Sequence, residues 1–158
     1  FPALPGVQQP TFVPGGYRAD VPAPYSALPF LVPKVDADGN DAAGIRLPIV
    51  SVPLATLTGW NFRSPQIGAP STLIAMAGSY IALPKTKADR ERTKDPRLSI
   101  AERYGSKAEY VKRVREAATK LADQRFVLRE DIQPITDELA AQWDAVMGAS
   151  APAKTPSR

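Results

Sequence analysis

Three groups of side chains have types and spacings that chemistry uses. Asp36, Asp38 and Asn40 stand at alternate positions in DADGND, the spacing of the first three ligands of a calcium loop. Such a loop takes glycine at its sixth position and glutamate at its twelfth, and this chain has Asp41 and Leu47 there. The same residues suit a bare turn around Gly39, in which Asp and Asn side chains bond nearby backbone. The turn is the favoured reading, and no metal is assigned. Arg46 interrupts the apolar run Ile45–Val52, where a charge must be paired or reach water. It can grip an anion or carboxylate through two parallel donors, or serve as half of a structural ion pair. Trp60 and Asn61, within Thr58-Gly59-Trp60-Asn61, set an apolar wall beside an amide and are candidates for lining a substrate pocket. A tryptophan so placed also serves as a packing anchor.

The absences exclude more than these groups propose. The sequence has no histidine and no cysteine. Serine–histidine and cysteine–histidine hydrolysis therefore cannot be completed within it, and no disulfide can form. It contains neither a Gly-x-Ser-x-Gly elbow nor a Ser-x-x-Lys pair, and no phosphate-cradling glycine loop. Its carboxylates fall in turns or at helix starts, where capping accounts for them. No catalytic residue and no cofactor is assigned to this chain.

The elements that must position the candidates follow from composition and pattern. The 158 residues fit one domain. Eight of the 17 prolines lie in the first 33 residues, a density that rules out regular ladders because each proline removes a backbone donor. Residues 1–35 read as a wrapping arm whose anchors, Val7, Phe12, Val13, Tyr17 and Tyr25, seek grooves on the later half or on a partner. Its end, Pro29–Val35, is a strand candidate at a sheet edge.

Residues 36–84 read as short strands and loops, with Ile45–Val52 and Leu54–Leu57 extended and Gly59 in a conformation other residues avoid. Ser71–Leu83 is an apolar segment of open type. Ser64–Pro84 carries no charge, yet Pro65, Gly68, Pro70 and Gly78 break it as a membrane span.

Residues 85–148 read as helical. Thr86 caps Lys87–Lys94, and Ser99/Glu102 and Ser106/Glu109 are two capping boxes. Lys107–Gln124 carries a stripe of Ala108, Val111, Val114, Ala118 and Leu121. A last helix over about 129–147 carries Ile132, Ile135, Leu139, Trp143 and Val146. Residues 149–158 read as a disordered tail. The fold class is α+β: an irregular arm, a few edge-type strands, then two to four helices.

Charge is uneven. Lys85–Arg129 holds fourteen basic and seven acidic residues. The acids are interleaved at pairing distances, Glu109–Arg113 and Glu116–Lys120 among them. A solvated, salt-bridged face is preferred to a phosphate grip, and no nucleic acid is assigned as a partner.

Within these elements the string VPKVDADGNDAAGIRLPIVSVPLATLTGWNFR resembles the C-terminal region of a family of bacterial α/β-hydrolase-domain proteins. So do GSYIALPKTKADRERTKDPRLSIAERYGSKAEYVKRV, FVLREDI and the opening FPALPGV. The likeness spans nearly the whole chain, and its motifs GIRLP, TGWN and DPRLSIAERY are specific as a set and weak singly. It implies that a catalytic serine, acid and histidine lie in a segment upstream and that this chain packs on a separate α/β-hydrolase core. It further implies small-molecule esters as substrates and a periplasmic or secreted location. The chain also begins at Phe1 without a methionine, as expected of a processed or trimmed piece. The expected role is thus a C-terminal segment or small subunit of a serine hydrolase. The alternatives are a non-catalytic assembly module and, last, a basic nucleic-acid-binding domain.

Overall fold

The computed structural model describes residues 4–7, 33–68, 72–74 and 76–148. Most of the proline-rich arm, with the anchors Phe12, Val13, Tyr17 and Tyr25, and the tail 149–158 lie outside those residues. Of the strand candidate Pro29–Val35, only its last three residues are described, and Val35 forms one isolated bridge to Asp41.

Among the described residues the architecture is α+β: one antiparallel hairpin and five α-helices. The run Ile45–Val52, expected to be extended, instead contains a helical turn, α1 (Pro48–Ser51). Pro48 sits in the first turn, where no N–H is needed. The Leu47 carbonyl accepts from Val50 and Ser51 at 2.8 and 2.9 Å. Pro48 and Pro53 would leave gaps in a sheet ladder, whereas a turn satisfies the same backbone locally.

Strand β1 (Ala55–Thr58) pairs with β2 (Ser79–Ala82) in the register Ala55↔Ala82 to Thr58↔Ser79. The bond from Leu83 N–H to the Leu54 carbonyl continues the ladder. The uncharged segment of open type thus supplies the second strand.

The helical half follows its caps closely. Thr86 accepts from the Asp89 N–H and starts α2 (Lys87–Thr93). Ser99 and Glu102 form a reciprocal capping box on α3 (Ile100–Tyr104). At α4 (Lys107–Asp123) only half of the expected box forms: Ser106 accepts from Glu109 N–H, but the Glu109 carboxylate takes Arg113 at 2.9 Å. A 3-10 turn over 129–131 precedes α5 (Ile132–Gly148), so Pro134 falls in the first α-turn, where it costs no hydrogen bond. Lys107 at the start of α4 meets Asp144 near the end of α5, and Arg115 meets Gln133 near the start of α5. The two long helices therefore run antiparallel.

Their inner faces build the core with Val52, Leu54, Leu83, Ile100 and Tyr104. The stripe read on α4 needs one exchange: Ala108 is exposed and Tyr110 is fully buried. Tyr110 packs against Trp143 and Tyr104, with ring centroids 5.1 and 5.0 Å away. Burial pushes the phenol of each tyrosine well above its ordinary range. Each of the seven acids in Lys85–Arg129 has a basic partner, from Lys87–Glu91 to Arg129–Asp123. Glu116 pairs with Lys112 rather than with the expected Lys120.

One buried arginine fastens the hairpin to the helical half. Arg97 is 3% exposed. It donates to both Asp95 oxygens at 3.0 and 2.7 Å, to the Ile81 and Ala82 carbonyls, and to Thr56 Oγ1 at 2.8 Å. Arg97→Met should destabilise the chain by about 3–5 kcal/mol in urea unfolding, because it strands a buried carboxylate. Loss of the exposed Lys107–Asp144 pair should cost under about 1 kcal/mol.

Burial raises the Asp95 carboxyl, but its bonds from the Arg97 guanidinium and N–H outweigh that and hold it below the usual carboxylate range. A carboxyl lowered in the folded state contributes fully above its unfolded value, about 3.9. That contribution should be lost as pH falls below it through the folded value, seen as acid destabilisation that Arg97→Met removes.

Candidate functional site

The loop 36–46 brings the calcium-spaced residues and Arg46 together and uses them as fasteners. Asp36 Oδ1 accepts from the N–H groups of Asp38 and Asn40 at 2.9 and 3.0 Å, the expected turn. Its other oxygen is ion-paired to Arg46, whose guanidinium also donates to the Val50 carbonyl at the end of the α1 turn. Asp38 takes Arg103 of α3 at 2.5 Å. Asn40 is 1% exposed and bridges to β1, donating to the Ala55 carbonyl at 3.0 Å and accepting from Leu57 N–H at 2.7 Å. Thr56 Oγ1 donates to the Asp38 carbonyl while accepting from Arg97. The weak metal candidates Asp36, Asp38 and Asn40 are therefore joined in one chain of hydrogen bonds with arginines and backbone. Among the described residues no cluster of three or more metal-ligating side chains is present.

Trp60 and Asn61 lie elsewhere, at the root of the long excursion between β1 and β2. Thr58 Oγ1 and Ser79 Oγ both donate to the Trp60 carbonyl, at 2.5 and 2.8 Å. The half-buried indole meets Phe62 edge-on with centroids 5.8 Å apart. Asn61 Nδ2 donates to the Gly78 carbonyl at 3.3 Å, and its Oδ1 accepts from Phe62 N–H. Cross-strand bonds Arg63–Thr72 and Ile74–Asn61 carry the pairing beyond the named strands. Around this root the excursion exposes Ile67, Leu73 and Met76. Gly59, expected to need an unusual backbone, has no positive φ and open space around it. The demanding glycine is Gly78, where a Cβ would stand 2.2 Å from the Thr58 carbonyl oxygen.

Arg46 lines a groove of about 630 Å³ between the 44–52 segment and α4, together with Ile45, Val52, Lys120, Leu121 and Phe126. Neither Trp60 nor Asn61 lines it. Arg46 thus lies apart from Trp60 and Asn61, which stand together at the hairpin root. Arg97, Thr56 and Arg103 were the polar residues that sequence reasoning passed over. DPRLSIAERY read as a turn and a cap, and nothing local in it tells that Arg97 and Arg103 reach the hairpin and the loop before it. The chain has no imidazole, and the buried hydroxyls of Thr56, Ser99 and Tyr104 are bonded within the fold, whereas the buried Tyr110 hydroxyl has no hydrogen-bond partner among the described residues. No helix among the described residues is long and apolar enough to cross a membrane.

A family model described as an alpha/beta hydrolase domain matches residues 6–137. No curated protein and no solved structure matches the chain.

Gly78→Ala should destabilise the chain by about 1–3 kcal/mol in thermal unfolding, since the added methyl collides with backbone rather than a movable side chain. Gly59→Ala, with nothing within 4 Å, should stay within about 0.5 kcal/mol of the parent.

Proposed function

The chain belongs to the alpha/beta hydrolase domain family, and we propose that it is a C-terminal segment or small subunit of a serine hydrolase acting on carboxylic esters. In this reading it is structural and pocket-lining, and a separate upstream segment supplies the serine, acid and histidine. The observation that carries the reading is family membership in a sequence without histidine. An α/β-hydrolase site needs a serine on a strained strand-to-helix elbow and a histidine base, oriented by an acid. Acylation of the serine and deacylation by water would then run on groups outside this chain.

What this chain offers such a site is position and surface. The hairpin excursion presents Trp60 as an apolar wall with the Asn61 amide next to it, and both are held from behind by Thr58, Ser79 and Gly78. The exposed Ile67, Leu73 and Met76 extend the apolar surface, and apolar side chains with a few placed polar groups are what ester-sized ligands meet in pockets. Arg46 is less suited to hold a substrate carboxylate, because Asp36 already neutralises it. The family likeness favours a periplasmic or secreted setting.

A non-catalytic assembly module is the second reading, favoured by the exposure of Phe126 and Leu128 on the α4–α5 connection. A nucleic-acid grip has less support, since the basic block's acids are all ion-paired among its own cations.

Hydrolysis of p-nitrophenyl butyrate tests the proposal. The chain alone should show no turnover above background. Joined to the protein segment encoded before it, it should form an esterase in which Trp60→Ala lowers kcat/KM about tenfold, chiefly through KM. Ester turnover by the isolated chain, or an encoded preceding segment without a serine elbow, would sink the reading.

A further inference from the structure

We propose that the groove between residues 44–52 and α4 binds an amphiphilic carboxylate, an aliphatic chain ending in a single carboxyl group. The proposal is independent of the hydrolase reading. The groove's volume of about 630 Å³ lies within the roughly 300–1,000 Å³ of small-molecule sites. Ile45, Val52, Leu121 and Phe126 give it apolar walls. Ile45 and Phe126 are 56% and 54% exposed, so this surface is uncovered among the described residues.

Charge selects the head group. Arg46 and Lys120 line the groove, and no carboxylate does. Arg46 is paired with Asp36, but its Nε is buried with no hydrogen-bond partner. Lys120 has no ion pair among the described residues, although every acid of the basic block has found another cation. Two other hollows among the described residues lack this chemistry. One is lined by Asp131 and Glu138 with Arg125, the other by Glu116 and Asp123 with Arg115 and Lys120, so in both an acid opposes a carboxylate. Among these three hollows of the described residues, the groove beside Arg46 is the one whose lining joins apolar side chains to cations and holds no acid, the Asp36 partner of Arg46 lying outside it. An alkyl chain laid over Val52 and Leu121 removes apolar surface from water, with its carboxylate directed to the Lys120 ammonium at the rim.

Calorimetric titration of the full chain with decanoate, kept below its micelle concentration, tests this. Decanoate should bind saturably at one site. Decanol should bind about fivefold more weakly, because it lacks the ion pair, and decyltrimethylammonium more weakly still. Decanoate affinity should fall as salt is added. Lys120→Glu should weaken decanoate about tenfold and leave decanol unchanged, whereas Phe126→Ala should weaken both by about fivefold. Both side chains are exposed, and an unchanged melting temperature confirms that each variant is folded. Decanoate that fails to saturate, binds no better than decanol, or ignores Lys120→Glu overturns the proposal.

Discussion

The Arg97 guanidinium is the interaction on which the rest of the structure depends. It is a permanent charge at 3% exposure, and a charge taken from water must be both paired and hydrogen-bonded. Asp95 supplies the countercharge from two residues away, so part of the requirement is met locally. The remaining donors go to the Ile81 and Ala82 carbonyls of β2 and to the Thr56 hydroxyl of β1. A two-stranded hairpin alone is marginal in water. Here its edge carbonyls are bound by a cation that sits at the entrance to α3, so the hairpin and the helical half share one fastening.

From Thr56 the network runs on to the loop before it. The Thr56 hydroxyl donates to the Asp38 carbonyl, the Asp38 carboxylate holds Arg103 of α3, and Asn40 closes on β1 from the other side. The segments GIRLP and DPRLSIAERY, which carry the likeness to the hydrolase family, contribute Arg46, Asp95, Arg97, Ser99, Glu102, Arg103 and Tyr104 to these fastenings and caps. Arg46, Asp95, Arg97, Glu102 and Arg103 each have an ion-pair partner within the chain. The aromatic cluster of Tyr104, Tyr110 and Trp143 supplies the apolar counterpart between α3, α4 and α5.

Two features remain turned outward. One is the excursion between the strands, which holds Trp60 and Asn61 at its root and exposes apolar side chains along its length. The other is the groove beside Arg46, lined by Ile45, Val52, Leu121 and Phe126 and by the cations Arg46 and Lys120. The groove is lined by Arg46 and by neither Trp60 nor Asn61.

What the sequence determined by itself is the set of elements whose signals act over a few residues. Thr86, Ser99 and Ser106 each cap a helix because a hydroxyl reaches an N–H three residues on, and DADGN turns because Asp36 reaches Asp38 and Asn40. The lack of histidine, likewise, needed no coordinates to exclude an imidazole base. The tertiary structure decided what distance along the chain conceals. Thr56 and Arg97 meet across 41 positions and Asp38 and Arg103 across 65, so a turn motif gave no sign of being the central fastening. Local pattern also misled where backbone satisfaction overrode it. Ile45–Val52 has strand-like side chains, but prolines on both sides of its last turn favoured a helical turn that closes its own hydrogen bonds. Periodicity placed Ala108 inward on α4, yet the space beside Trp143 is filled by Tyr110, because packing a core selects the ring that fits its neighbours and not the residue that best completes a stripe.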